Sequence, residues 1–99
     1  MMEYIKVQNV YNENGKAVAN QYLIFWSDGS DTFELYQSYQ SSIILWKNGL
    51  IQEVYPEWCY SKTTGKYRNM FTGLTLKKLN EYIKENMSYN CDSECWELN

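Results

Sequence analysis

Ile43-Ile44-Leu45-Trp46-Lys47-Asn48-Gly49-Leu50-Ile51-Gln52-Glu53-Val54-Tyr55 is the stretch on which the fold turns. Two runs rich in aliphatic and aromatic residues flank Asn48-Gly49, the pair preferred in a two-residue type I′ turn because both positions need positive φ. A hairpin follows. Its register sets Trp46 opposite Ile51 and puts Ile44 and Tyr55 on the same face. Pro56 then ends the sheet, because it has no N–H to give to a ladder.

Upstream of this hairpin the apolar period stays close to two. Tyr4 to Val10 alternates Ile5 and Val7 with Lys6 and Gln8, and Asn12, Glu13, Asn14 and Gly15 supply turn chemistry. Val18 to Trp26 is the returning strand. Its end, Tyr22-Leu23-Ile24-Phe25-Trp26, is apolar on both faces, the pattern of a central strand covered on both sides. Ser27-Asp28-Gly29-Ser30-Asp31 breaks it, and Thr32 to Tyr36 alternates Phe33 and Leu35 against Glu34 and Tyr36, a third strand with one wet face.

Downstream of Pro56 the period changes to three and four: Tyr60, Thr63 or Thr64, Tyr67, Met70, Phe71 and Leu74, with Ser61 placed to cap and Gly73 to stop a short helix. Thr75 caps a second helix, whose Leu76, Leu79, Tyr82 and Ile83 form an apolar stripe opposite Lys77, Lys78, Glu81, Lys84 and Glu85. About five antiparallel strands followed by two helices make an α+β domain, residues 1–86, with the helices packed on one face. Residues 87–99 are acidic and unpatterned apart from Trp96 and Leu98, a C-terminal tail that packs through those two or frays.

Composition narrows the function. The chain has 99 residues, 44% of them hydrophobic and 17% aromatic, with ten Tyr and four Trp, which suits one packed core and a surface that docks on a macromolecule. Net charge is −3, too mild for the field of a dedicated nucleic-acid binder. No apolar run reaches membrane length and no leader pattern opens the chain, so a soluble protein without a membrane partner is expected. Three cysteines leave one unpaired under any disulfide scheme, which points to a reducing compartment, the cytoplasm.

Histidine is absent, which removes Ser-His-Asp and Cys-His chemistry, and no carboxylate is framed by an apolar run that would tune it for acid-base work. No enzyme is expected. Cys91 and Cys95 with Cys59 would give zinc three thiolates, but structural zinc sites draw two close pairs of ligands, so free thiols and no cofactor are expected. Asp28 and Asp31 around Gly29 fit a β-turn better than a calcium loop. Gly65-Lys66 lacks the preceding glycine and the following Ser or Thr of a phosphate loop.

One segment is the candidate binding site. Tyr60-Ser61-Lys62-Thr63-Thr64-Gly65-Lys66-Tyr67-Arg68 gathers three cations and three hydroxyls at a helix start, where unpaired N–H groups and the helix dipole favour anions. Tyr60, Lys62, Lys66, Tyr67 and Arg68 are the candidate residues for contact with a partner protein or a nucleic acid. The competing reading is a capped helix with Tyr67 in the core and its charges solvated.

Asn20-Gln21, Phe33 to Ser42 with its Gln37-Ser38-Tyr39, Ile43-Ile44, and above all the run Trp58 to Phe71 carrying Trp-x-Tyr-Ser-x-Thr-Thr-x-Lys-Tyr, resemble a family of small proteins of phages and other mobile elements, described only as a domain of unknown function. Together they cover most of residues 20–71. The chain departs from that pattern at Cys59, where the family carries an acidic residue, and in continuing well past the helix. The resemblance implies a phage-type accessory protein acting in the host cytoplasm by binding a host protein or ribonucleoprotein complex. By analogy it implies an inhibitor of a CRISPR-Cas or other defence nuclease. Two other classes stay open: a single-stranded nucleic-acid-binding module with bases stacked on Tyr and Trp beside the cations, and a self-assembling structural component.

Overall fold

The computed structural model describes residues 4–59 and 62–99. Seven strands form one antiparallel sheet: β1 (Tyr4–Tyr11), β2 (Ala17–Ser27), β3 (Thr32–Ser38), β4 (Ser41–Lys47), β5 (Leu50–Val54), β6 (Met87–Asn90) and β7 (Cys95–Leu98), in the order β1-β2-β3-β4-β5-β7-β6. A 3-10 turn (Pro56–Cys59) and two helices, α1 (Lys62–Thr72) and α2 (Leu76–Asn86), lie between β5 and β6. The α+β class is as expected, with seven strands in place of about five.

Local chemistry sets the turns. Asn48 and Gly49 have φ of 52° and 84°, the doubly left-handed turn that this pair favours. In the first hairpin the Asn12 carboxamide oxygen accepts from the N–H groups of Asn14 and Lys16 at 2.9 and 3.0 Å, closing the turn that Gly15 completes. Thr75 caps α2 by accepting from the Lys78 N–H at 3.2 Å, and Gly73, at φ 71°, ends α1. Ser61, the expected cap of α1, lies outside the described residues.

The 43–55 hairpin pairs Trp46 with Ile51 as expected, but Leu45 then faces Glu53 and Ile44 faces Val54. Gln52 is an extra residue, a bulge that turns the rest of the strand over. Val54 therefore joins Ile44 on the buried face, whereas Tyr55 does not share that face and its hydroxyl donates to the Glu53 carboxylate. A second irregularity in β4 buries both Ile43 and Ile44.

Both helices pack on one side of the sheet. Tyr36, fully buried, meets Phe71 of α1 edge to face with ring centres 5.0 Å apart, and Ile44, Val54, Tyr67, Leu79 and Ile83 complete this core. Leu76, placed on the apolar stripe by its spacing, is half exposed. Among the described residues no helix is long and apolar enough to cross a membrane.

Of the two alternatives for residues 87–99, packing rather than fraying is what the fold shows. These residues form the β6–β7 hairpin, in which β7 pairs with β5 through Val54 opposite Trp96 and Glu53 opposite Glu97. Met87 and Cys95 are buried and Trp96 packs on the core.

Candidate docking surface

The sequence concentrates cations, Lys62, Lys66 and Arg68, at the start of α1. Tyr60 lies outside the described residues, as does the side chain of Lys62. Lys66 is exposed, but its ammonium is 3.5 Å from the Glu13 carboxylate and lies over the Tyr67 ring. Backbone hydrogen bonding at Glu13 and the Lys66 charge together hold that carboxyl below its ordinary range.

Tyr67 and Arg68 turn inward, each 4% exposed. The Arg68 guanidinium donates from Nη1 to the Trp58 carbonyl at 2.6 Å and from Nη2 to Asn69 Oδ1 at 2.9 Å, and it stacks over the Trp58 ring at 5.5 Å. Burial pulls its pKa down. Its charge is met by a carbonyl, an amide and a ring face, so this arginine clips the 3-10 turn to α1 and faces no external anion. Of the five candidate residues, the described side chains are thus one exposed cation already opposed by a carboxylate and two core groups. Among the described residues, Lys66 and Arg68 do not form one cationic cluster on the surface.

The same holds for the rest of the resembling residues. Gln21 Nε2 donates to Ser38 Oγ at 2.9 Å, Ser38 Oγ bonds Thr64 Oγ1 at 2.9 Å, and the Tyr36 hydroxyl donates to Gln21 Oε1. These four buried groups tie β2, β3 and α1 together. Asn20 and Tyr39 both take positive φ, with the Tyr39 N–H donating to the Asn20 carbonyl at 2.6 Å. A buried polar network of this kind specifies a packing arrangement. Among the described residues of the Trp58–Phe71 run, Trp58, Thr64, Tyr67, Arg68 and Phe71 serve the packing of the fold.

Side-chain chemistry elsewhere is closed in a similar way. Glu53 and Glu97 face each other across β5 and β7, with Glu97 accepting from Asn90 at 2.9 Å and from Ser93 at 3.3 Å. Burial pushes the pKa of the neighbouring Cys95 thiol up. Cys59 and Cys91 are exposed, and among the described residues no three ligating side chains gather as a metal site. Asp28 Oδ1 accepts from the Ser30 and Asp31 N–H groups at 2.9 and 2.8 Å, the geometry of a turn.

The surface that stands open is the other face of the sheet. Strand pairing aligns Ile5, Trp26, Phe33, Lys47 and Leu50 in one row across β1 to β5, and Val7, Ile24, Leu35, Leu45 and Glu53 in the next. All ten side chains share the face away from Tyr36 and the helices. Ile5, Val7 and Leu50 are more than 60% exposed, and Ile24, Trp26, Phe33, Leu35 and Leu45 are partly exposed. Trp26 and Phe33 stack at 5.2 Å with their planes 12° apart, making a flat aromatic platform. Five strands at about 4.8 Å and these two side-chain rows at about 6.8 Å span roughly 24 by 14 Å, on the order of 300 Å² in flat projection; the next row sets Tyr22 between Asn9 and Gln37 and is polar.

Sequence reasoning did not find this surface, although two signals pointed to it. Tyr22 to Trp26 is apolar on both faces, which implies cover on both. Of this run Leu23 packs on the core, while Tyr22, Ile24, Phe25 and Trp26 are each left partly exposed. In β3 the alternation of Phe33 and Leu35 with Glu34 and Tyr36 was visible, but the buried member is Tyr36 and the open face carries Phe33 and Leu35. No family model, curated protein or solved structure matches this chain.

Proposed function

We propose that this chain is a non-enzymatic accessory protein that acts by docking on another protein, with the open sheet face as its contact surface. The observation that carries the reading is that face: two rows of mainly apolar and aromatic side chains, on the order of 300 Å² in flat projection, a patch of the size that marks interaction sites on monomers. Its charges are Lys47, held 3.7 Å from Asp31, and Glu53 at the margin. Such a surface suits a protein partner and offers a phosphate backbone almost nothing to neutralise. The target proposed, by analogy with the phage proteins that the sequence resembles, is a host defence complex, a CRISPR-Cas effector being the leading case, with inhibition by occlusion.

The test is capture from host lysate by tagged wild type and by Leu35→Glu, each after nuclease treatment. A stoichiometric protein retained by the wild type and lost with Leu35→Glu is the expected result. Retention of nucleic acid without protein, or capture indifferent to Leu35→Glu while Lys66→Glu abolishes it, overturns the reading in favour of a nucleic-acid module.

A further inference from the structure

We infer that the helix side of the sheet carries a pocket for one basic side chain of a polypeptide, an arginine or a lysine, with Glu34 as its counter-charge. The site lies across the sheet from the open face and is built from other side chains. Strand register assembles it. Lys6, Phe25, Glu34, Trp46 and Ile51 form one row across β1 to β5, on the side that Tyr36 shares. A cleft of about 200 Å³ there is lined by Phe25, Thr32, Phe33, Glu34, Trp46 and Gly49, all from β2, β3, β4 and the turn that follows β4. Phe25 and Trp46 thus flank the Glu34 position in the row, Trp46 buried, Phe25 and Glu34 partly exposed.

Three observations identify the occupant. The first is an unanswered charge. Among the described residues Glu34 makes no hydrogen bond or ion pair, and the two ion pairs join Lys47 to Asp31 and Lys66 to Glu13. Lys6, the cation of the row, stands two strands away with Phe25 between. Burial pushes the Glu34 carboxyl above its ordinary range, and no neighbour draws it back. The unfolded chain therefore releases this proton at a lower pH than the folded chain does, so stability falls as pH rises through that interval and the ionised group is a cost at neutral pH. A glutamine would avoid that cost, whereas a bound cation removes it. An acid held under strain in a cleft is the mark of a ligand of opposite charge.

The second is the chemistry of the walls. Ring faces attract cations, tryptophan most strongly, and aromatic groups beside a carboxylate are the surroundings in which ammonium and guanidinium groups bind. A phosphate or carboxylate ligand would meet repulsion from Glu34. The third is size. A volume of about 200 Å³ lies below the roughly 300–1,000 Å³ of sites that enclose whole small molecules, so the cleft takes the end of one side chain.

The test is a titration of the full chain with N-acetylargininamide, followed in proton–nitrogen correlation spectra. The Phe25 and Glu34 amides and the Trp46 indole N–H should move together and saturate with a Kd of about 1 to 10 mM. N-acetylcitrullinamide, the uncharged isostere, should leave them in place. Glu34→Gln, whose own spectrum reports that it is folded, should weaken binding about tenfold or more, and Phe25→Leu about threefold. Capture through the open face and its loss with Leu35→Glu are separate measurements, so either reading can fail while the other stands. The inference is overturned by signals that do not move at about 50 mM probe, by equal binding of the citrulline compound, or by folded Glu34→Gln that binds as the wild type does. Tetramethylammonium bound more tightly than the arginine probe overturns it in favour of a free quaternary amine.

Discussion

Arg68 looks like a ligand-binding residue in the sequence and behaves as a structural one in the fold, and the difference is measurable. Its removal leaves the buried Trp58 carbonyl without its 2.6 Å donor and strips the stacked contact with the indole. Arg68→Ala should therefore cost about 2–3 kcal/mol of stability. The denaturant midpoint should fall with the slope unchanged. Lys66→Glu, at an exposed pair, should move stability by less than about 1 kcal/mol. Tyr36 gives a second test. Burial pushes its phenol from an ordinary value near 10 up to about 12, against the lesser pull of Ser38, Arg68 and Thr64. Below pH 10 both folded and unfolded chains keep the proton, so this group adds no pH dependence. Above it the unfolded chain releases the proton while the folded chain holds it. Stability should thus fall between about pH 10 and pH 12, by about 2–3 kcal/mol for this residue. Tyr36→Phe should lower stability at pH 8, because Gln21 Oε1 loses its donor, and should flatten the alkaline decline. Denaturant midpoints at pH 8 and pH 11 for the two proteins check both statements.

Among the elements, the C-terminal hairpin carries the sharpest prediction. β7 shields the edge of β5, and Trp96 sits opposite Val54, packed on the core and edge to face with Tyr89 at 5.0 Å. Trp96→Ala should cost about 2–4 kcal/mol. A chain ending at Asn86 should lose its cooperative melt or aggregate, since the β5 edge and the core beneath it are left bare. Thermal denaturation with size-exclusion chromatography distinguishes this from a dispensable tail, which would leave the melt unchanged. The sequence made the elements legible wherever a local rule was strong: Asn48-Gly49 for the turn, Thr75 for a cap, the change from period two to period four after Pro56. It was silent where a single residue alters parity. Gln52 carries no compositional mark of a bulge, yet it decides that Val54 faces the core and Tyr55 does not. Strands of four residues, such as Met87–Asn90 and Cys95–Leu98, are too short to show a period, so their place in the sheet comes from tertiary contact alone. The candidate site failed for a related reason. Spacing put Tyr67 on the core side of α1, but it could not show that the long Arg68 stem folds back under Trp58. Nor could it choose which face of β3 the helices would cover.

At the scale of the whole molecule the chain is a slab, 37 by 36 by 22 Å, with helices on one side and the apolar rows of β1 to β5 on the other. A two-layer slab with hydrophobic surface on an outer side gains free energy by burying that surface against something, and the gain depends on how much of the partner is present. A partner that closes the face binds the folded chain and not the unfolded one, so by mass action the midpoint of thermal unfolding rises with partner concentration. A captured partner at about a hundred times its Kd adds about 2.7 kcal/mol against an unfolding entropy of about 0.2 kcal/mol/K for 99 residues, a shift of about 13 °C. Folded Leu35→Glu should keep its own midpoint when the same partner is added. The wild-type shift should persist when salt is raised from about 0.1 to 1 M, because burial of apolar area is not screened. An association through Lys66 or other exposed cations would instead weaken steeply over that range. Differential scanning calorimetry with and without the partner, at both salt levels, reads these outcomes directly. A wild-type midpoint that the partner leaves unmoved, or moves equally in Leu35→Glu, would show that the open face is not the contact surface.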